Sequence, residues 1–210
     1  MKKRQIVGAV LGVAAVLLLA IIVIREPQEP ALPEVERQQS VVTYSTDNPE
    51  EDQNAPFDWT GEVSDPKYIT LPSIEAEGFI QKVGVDQNSE VAVPTNIHVA
   101  GWFVQSAKPG DKGLSIIDGH VNGRSQDGIF KQLSLLGPDD TFTIERGDGS
   151  VLEYRVRQVS NVSVDEAPTV LFSQLVGVSE QLNLITCGGE FDAASRQYDQ
   201  RVIVNAERVL

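Results

Sequence analysis

Three residue types that cooperate in acyl transfer occur in the second half of this 210-residue chain. The only cysteine, Cys187, ends the alternating run "LNLITC", and two glycines follow it. A thiolate attacks a carbonyl carbon, an imidazole exchanges protons with the thiol and the leaving amine, and a cationic donor stabilises the oxyanion. For such a centre the sequence contains Cys187, two histidines and Arg201.

Of the two histidines, His120 is the better candidate because it follows Gly119 at the end of the apolar strand "LSIIDG". His98 lies inside "NIHVAGW", which is typical of a structural or surface position. Residue types alone leave the question open. A lone cysteine is more often a small buried hydrophobe than a nucleophile.

The N-terminus has the pattern of a membrane anchor. Three basic residues precede an uncharged apolar run over residues 6–24, which Arg25 closes. A run of this length is about enough to cross the ~30 Å hydrocarbon core as a helix. Because no A-x-A-like cleavage site follows, we expect an uncleaved anchor within residues 1–25, with its basic tip in the cytoplasm. Everything after the anchor is then extracytoplasmic.

Residues 26–66 are strongly acidic and rich in proline. They hold eleven acidic residues and six prolines against one basic residue, Arg37, in a chain of formal net charge −13. Such a segment buries too little apolar surface to offset its ordering entropy, and like charges extend it. We therefore expect a disordered stalk that holds a domain of residues 67–210 away from the membrane.

The composition of residues 67–210 excludes several classes of function. Twelve basic and nineteen acidic residues exclude a basic nucleic-acid face. One cysteine allows no internal disulfide, and one cysteine with two histidines is too few for a four-ligand zinc site. No acidic cluster has the spacing of a calcium loop. We expect no metal site and no cofactor, and nothing in the sequence indicates calcium activation.

The domain is predicted to be mainly β, with a short helix or two. Seven or eight short strands favour a closed or nearly closed β-barrel. "TFTIERGDGSVLEYRVRQV" predicts a hairpin, and "SQDGIFKQLSLLG" has helical spacing. Alternation places Leu182, Leu184 and Thr186 on one side of a strand and Asn183, Ile185 and Cys187 on the other. A hairpin-like return would bring Arg201, at the start of the last strand, beside Cys187 at the end of its own.

The order of short motifs resembles that of the sortases, the membrane-anchored cysteine transpeptidases of bacterial surfaces. "LITC" (184–187) resembles their TLxTC signature, "IIDGH" their strand-end histidine, and "YDQRVIVNA" their final strand with its arginine. "KPGDKGLSIIDGHV", "FKQLSLLGPDDTFTIERGDG" and "TCGGEFD" occur in the order typical of class F-like sortases. The predicted anchor and stalk fit the same family.

The resemblance implies a closed eight-stranded sortase-type β-barrel preceded by one transmembrane helix. In it Cys187 is the nucleophile, His120 the general acid/base and Arg201 the oxyanion or substrate stabiliser. The implied reaction cleaves an LPxTG-like sorting signal of a secreted protein between Thr and Gly through a Cys187 thioester. An amine from a cell-wall peptide or a pilin lysine then takes the acyl group, at the outer face of a bacterial cell membrane.

The resemblance also implies a substrate-binding region. Thr186 occupies the threonine of the motif, near the substrate groove. Residues 161–180 correspond to the loop that receives the sorting peptide, where Val170, Leu171 and Phe172 form either an apolar wall or core packing.

Two residues depart from the motifs, and one arginine competes with Arg201. Asn183 stands where the signature has its first Thr, and Asp118 stands where a small residue is usual. A carboxylate at position 118 that faces His120 would raise its pKa. Arg196 is the rival arginine, but it lies in the connection between the last two strands.

Two other functions are compatible with the composition. An L,D-type cysteine transpeptidase would have an S-x-G-C pattern before its nucleophile, and "LITC" does not provide it. The alternative to an enzyme is a surface-tethered β-barrel that binds a ligand and buries its cysteine.

Overall fold

Eight strands, one short α-helix and two 3-10 turns follow one another in the computed structural model, which describes residues 41–210. The strands are β1 (Pro66–Leu71), β2 (Ala76–Val83), β3 (Ala100–Phe103), β4 (Gly113–Asp118), β5 (Thr141–Arg146), β6 (Val151–Ser163), β7 (Glu180–Asp192) and β8 (Gln197–Arg208). The helix is α1 (Ala167–Leu171), and the 3-10 turns are Pro72–Ile74 and Leu133–Leu135.

The strands close into a barrel in the order β1-β2-β3-β4-β7-β8-β6-β5, and β5 pairs with β1. Only two of the pairs are parallel, β2 with β3 and β4 with β7. The predicted mainly β fold and the closed eight-stranded barrel are therefore confirmed. The β4–β7 pair matters most for function because it joins the strand before His120 to the strand of Cys187.

The barrel is filled by one face of each long strand. Leu182 and Leu184 of β7 are fully buried inside it with Val204 and Ala206 of β8. Burying side chains of this size contributes roughly 1.5–3 kcal/mol each. Tyr154 is also fully buried, and its hydroxyl accepts a hydrogen bond from Gly110 N at 2.7 Å. The strand alternation predicted for β7 is thus confirmed.

One local prediction is confirmed and two others differ from the structure. The β5–β6 hairpin forms as predicted, with Glu145 opposite Val151. The stretch with helical spacing forms only the 3-10 turn at Leu133–Leu135, although its apolar residues are buried as the spacing predicts. The residues before Leu133 include glycine and several polar residues, which do not favour the first turn of an α-helix. Tertiary packing therefore buries the apolar residues of this stretch without an α-helix. The α-helix α1 lies instead between β6 and β7, where the sequence indicated an irregular segment.

Residues 41–65, which we call the N-terminal strap, lie along the barrel rather than forming part of a free stalk. Val42 is buried and pairs with Val83 of β2, and Glu50 pairs with Asn96. Asp65 is buried between Lys82 Nζ at 2.6 Å and Lys108 Nζ at 2.7 Å. The prediction of a stalk failed here because backbone pairing and ion pairs to the barrel need little apolar surface from the strap itself.

Within residues 41–210, no helix has the length and apolarity that a membrane crossing requires. The anchor predicted at residues 6–24 and the first part of the predicted stalk, residues 26–40, lie outside the described residues.

Candidate active site

Cys187 lies on the outer face of the barrel within β7. Because side chains alternate along a strand, Leu184 points into the barrel and Cys187 points out of it. The thiol is free and half-buried. β7 does not end at Cys187 as the sequence suggested. The strand continues to Asp192, and an irregularity between Gly188 and Phe191, where Gly189 has φ 78°, absorbs the two glycines.

Arg201 is the direct cross-strand neighbour of Cys187 in the antiparallel β7–β8 pair. Its Nη1 donates to the carbonyls of Gln200 at 2.9 Å and Tyr198 at 3.1 Å, which fixes the guanidinium beside the thiol. The rival Arg196 lies in the hairpin turn with φ 57° and pairs with Asp47 of the strap at 3.1 Å. The predicted neighbourhood of Cys187 and Arg201 is therefore present, although both lie inside their strands rather than at the ends.

His120 follows β4 on the other side of Cys187. The parallel register pairs Asp118 with Ile185, and Gly119 N donates to Ile185 O at 3.2 Å. Continuing that register by two residues brings His120 level with Cys187. The imidazole Nε2 lies 2.8 Å from Pro94 O. A carbonyl oxygen only accepts hydrogen bonds, so Nε2 carries the proton and Nδ1 is the basic nitrogen of the neutral ring.

Burial favours the neutral forms of both groups. Burial raises the pKa of the Cys187 thiol, an effect that Arg201 opposes and Asp118 reinforces. Burial also lowers the pKa of His120, partly offset by its hydrogen bond to Pro94. The pKa of His120 is thus lowered by its own burial rather than raised by Asp118, a buried carboxyl whose own pKa burial raises well above its usual range. At rest the centre holds a thiol beside a neutral imidazole.

An open pocket of about 610 Å³ adjoins the thiol. Cys187, Gly188 and Gly189 form one side of it, and the Phe191–Tyr198 ring pair, with centroids 5.1 Å apart, lines it as well. The nucleophile is therefore reachable from solvent next to an aromatic surface.

The family model of the Sortase domain matches residues 69–209. The chain belongs to the sortase family. Sortases are cysteine transpeptidases, and this sortase domain has Cys187 within β7, Arg201 beside it within β8 and His120 just after the adjacent strand β4. The catalytic roles of the three residues remain predictions, as does the class F-like subgroup.

Solved sortase structures resemble this sortase over most of the described chain. Sortase C-1 from Actinomyces oris is 26% identical with a TM-score of 0.50, over 70% of this chain and 75% of that one. The lid mutant of sortase A from Corynebacterium diphtheriae is 26% identical with a TM-score of 0.54, over 71% of this chain and 73% of that one. Sortase C from Streptococcus pneumoniae is 22% identical with a TM-score of 0.50, over 68% of this chain and 65% of that one. At this identity the likeness shows the fold alone. The comparison with curated proteins gave no match.

The three predicted substrate-binding residues of the sortase occupy different environments. The buried Thr186 hydroxyl donates to Gly119 O at 2.7 Å, so it positions the chain that leads to His120. Val170 packs against the apolar cluster on the outer face of β4, β7 and β8, and Leu171 is buried there. Phe172 is 53% exposed. Leu171 is thus core packing, whereas Phe172 is exposed beside it.

Asn183, which departs from the family signature, is fully buried on the same outer face. Its Nδ2 donates to Leu171 O at 2.6 Å, and its Oδ1 accepts from Asn205 Nδ2 and Gln181 Nε2, each at 2.9 Å. Asn183 therefore anchors the end of α1 to the sheet, a task for which an amide that both donates and accepts is suited.

The sequence did not indicate the residues that hold the loop after His120. Tyr198 OH donates to Asn122 Oδ1 at 2.7 Å from the β7–β8 hairpin. From the strap, the Glu51 carboxylate accepts from Ser125 Oγ at 2.5 Å and from the backbone N–H of Arg124. No local pattern marks such contacts, because their partners lie at least 70 residues apart. Among residues 41–210, no group of three or more His, Cys, Asp or Glu side chains is arranged to hold a metal ion.

Proposed function

We propose that this protein is a membrane-anchored sortase that cleaves an LPxTG-like sorting signal and transfers the acyl group to an amine. The observation that carries the proposal is the position of Cys187 in the sheet. It lies between the end of β4, which leads to His120, and Arg201 of β8. Family membership supports the reaction type, and the sorting signal follows from the motif resemblance.

In the proposed first step, His120 Nδ1 takes the thiol proton as Cys187 Sγ bonds to the carbonyl carbon of the threonine residue. The proton then passes from Nδ1 to the amide nitrogen of glycine, the C–N bond breaks, and a thioester remains on Cys187. In the second step an amine gives a proton to His120 and attacks the thioester, which releases the thiol.

Arg201 supplies the positive charge for the oxyanion. Nη1 donates to the carbonyls of Tyr198 and Gln200, and Nε and Nη2 are proposed to donate to the oxyanion. The same guanidinium lowers the pKa of the Cys187 thiol against the effect of burial. It thus favours both the attacking thiolate and the tetrahedral intermediate.

The two faces beside Cys187 suit two substrates. The apolar outer face beside α1, where Ile185 and Val170 are only partly buried, is proposed to receive the sorting peptide. The pocket next to Phe191 and Tyr198 is proposed to admit the amine of a cell-wall peptide or a pilin. With the anchor at residues 6–24, the reaction takes place at the outer face of the membrane, on proteins that have just been secreted.

Mass spectrometry of the full-length protein after incubation with a library of LPxTG-type peptides tests this proposal. We expect an acyl adduct on Cys187 with a mass that ends at the threonine, and release of a new amide when an amine is added. Cys187→Ala is the matched control and forms no adduct. An adduct on another residue, or none from any sorting peptide, contradicts the proposal.

The alternative is a tethered module that binds a ligand without reacting, and the raised pKa of the Cys187 thiol favours it. The same experiment separates the two functions, since a binding module retains the intact peptide and forms no thioester.

A further inference from the structure

Tyr198, a half-buried residue of β8, contacts both chain segments that carry the basic and cationic groups of the proposed centre. Its backbone oxygen accepts a hydrogen bond from Arg201 Nη1 at 3.1 Å, and its hydroxyl donates to Asn122 Oδ1 at 2.7 Å. Asn122 lies two residues after His120. A single residue of the β7–β8 hairpin therefore joins the surroundings of Arg201 to the loop that follows His120.

The loop after His120 is compact, so a restraint at Asn122 is passed on to the histidine. Asn122 and Asp127 pair across the loop as an isolated β-bridge. Phe130 N donates to the carbonyl of His120 itself at 3.0 Å. The amide of Asn122 is oriented within the loop, because its Nδ2 donates to Gly123 O at 2.9 Å and leaves Oδ1 to accept.

The β7–β8 hairpin needs such a restraint on its own side. Residues 189–197 are exposed, and the irregularity in β7 after Gly188 interrupts the pairing that leads to the tip, where a strand bends and twists more readily. The ion pair between Arg196 and Asp47 also touches the tip, but both side chains are more than half exposed and such a pair contributes little. The hydroxyl of the half-buried Tyr198 is the firmer restraint, because a hydrogen bond is stronger where water is partly excluded.

We propose that Tyr198 is a positioning residue for the acyl transfer. By donating to Asn122, its hydroxyl fixes the β7–β8 hairpin against the loop after His120. Arg201 and the imidazole then keep their positions on either side of Cys187. This inference rests on the proposed function. Groups that are already in place need no reorientation during the reaction, and small displacements of such groups lower rates steeply.

Single-turnover acylation of Cys187 by an LPxTG-type peptide, measured on the full-length protein, tests this role. Tyr198→Phe keeps the backbone oxygen and the ring, whose centroid lies 5.1 Å from that of Phe191, and removes only the hydroxyl. We expect the maximal acylation rate to fall about 10-fold, because the catalytic groups lose their fixed geometry. The half-saturating peptide concentration should stay within about twofold, because the proposed peptide-binding face beside α1 keeps all its residues.

Tyr68→Phe is the matched control. Tyr68 also packs against a phenylalanine, with its ring centroid 5.2 Å from that of Phe79, but it lies on β1, across the closed barrel from β7. Loss of this hydroxyl should change neither quantity. An equal loss of rate in both variants, or an unchanged rate in Tyr198→Phe, would overturn the inference.

Asn122→Ala removes the same hydrogen bond from the loop side. Because the hydroxyl acts only through this amide, adding Tyr198→Phe to Asn122→Ala should slow acylation no further. Effects that multiply in the double variant would mean that the two residues act separately, which contradicts the inference.

Alkylation of Cys187 by iodoacetamide gives a readout that needs no sorting peptide. The charged or titratable groups around the thiol are Arg201 on β8, Asp118 at the end of β4 and His120 after it. Arg201 lowers the pKa of the thiol. If Tyr198→Phe releases the guanidinium, that pKa rises, so the pH at which alkylation reaches half its maximal rate should shift upward, whereas the control variant should leave it in place.

The two measurements separate this inference from the proposed function. If sorting peptides acylate Cys187 and Tyr198→Phe changes neither the acylation rate nor the alkylation midpoint, the inference alone fails. If no sorting peptide acylates the parent protein, the proposed function fails, and the alkylation midpoint still decides whether Tyr198 positions Arg201.

Discussion

Cys187 and His120 are both uncharged in the resting centre, because burial raises the pKa of the thiol and lowers that of the imidazole. Proton transfer between them thus belongs to the reaction rather than to the resting state. The hydrogen bond from Nε2 to Pro94 fixes which nitrogen receives the proton.

The two shifts predict the pH profile of kcat/KM. Below the pKa of His120 the ring is protonated and cannot accept the thiol proton. Above the pKa of Cys187 the proton needed by the leaving amine is lost. We expect kcat/KM to follow a broad bell-shaped curve against pH. Its acid limb should lie below pH ~6.5 and its alkaline limb above pH ~8.5, because these are the ordinary pKa values of histidine and cysteine. Peptide cleavage measured from pH 5 to 10 checks this, and a single narrow optimum near pH 7.5 would contradict it.

Substitutions of Arg201 and Arg196 should have different effects on kcat, although the two residues are close in sequence. Arg201→Ala should lower kcat about 10²–10³-fold, the usual cost of one lost oxyanion donor. Arg196→Ala removes only an exposed pair with Asp47 and should change kcat less than about twofold. Steady-state cleavage assays compare them, and the reverse order of effects would show that the β7–β8 register is misassigned.

At the scale of elements, β7 serves three purposes at once. Its inner face fills the barrel, its outer face presents Cys187, and Asn183 and Gln181 hold the segment that leads from α1 into β7. The position of α1 thus depends on hydrogen bonds from buried amides more than on the intrinsic stability of a five-residue helix.

Asn183→Ala should therefore destabilise the protein by about 1–3 kcal/mol, because it leaves Asn205 Nδ2 and Leu171 O buried without partners. It should also raise KM for the sorting peptide, since α1 borders the proposed groove. Urea unfolding and steady-state kinetics measure the two effects. Gln158→Ala, which removes an exposed amide bonded to Ser160, is the control and should stay within about 0.5 kcal/mol. Equal stability of both variants would contradict the anchoring role.

At the scale of the whole molecule, the strap is part of the catalytic domain. It pairs with β2 through Val42, supplies Asp65 to two lysines, and holds the loop after His120 through Glu51. A domain that starts at residue 67 lacks all of these contacts.

Removing the strap should therefore affect both stability and turnover. A protein of residues 67–210 should have a Tm at least about 5 °C lower than one of residues 41–210, and a lower kcat because the loop after His120 is released. Residues 41–210 should match the full chain in both. Equal Tm and kcat for the two truncated proteins would show that the strap is dispensable.

The sequence by itself determined what depends on local periodicity and on motif order. Alternation predicted which side of β7 carries Cys187, the turn at 147–149 predicted the β5–β6 hairpin, and the motifs predicted the family. Period-two alternation is a property of the strand alone, so it can be read before any partner is known.

Only the tertiary structure decided which distant segments meet. It pairs β4 in parallel with β7, lays the strap on the barrel, and buries Asp118 over Gly101. These outcomes depend on packing between residues far apart in the chain, and the same aspartate in a strand with an open edge would be an ordinary surface charge. The candidate nucleophile could therefore be predicted from the sequence, whereas the electrostatics that surround it follow from the closed barrel.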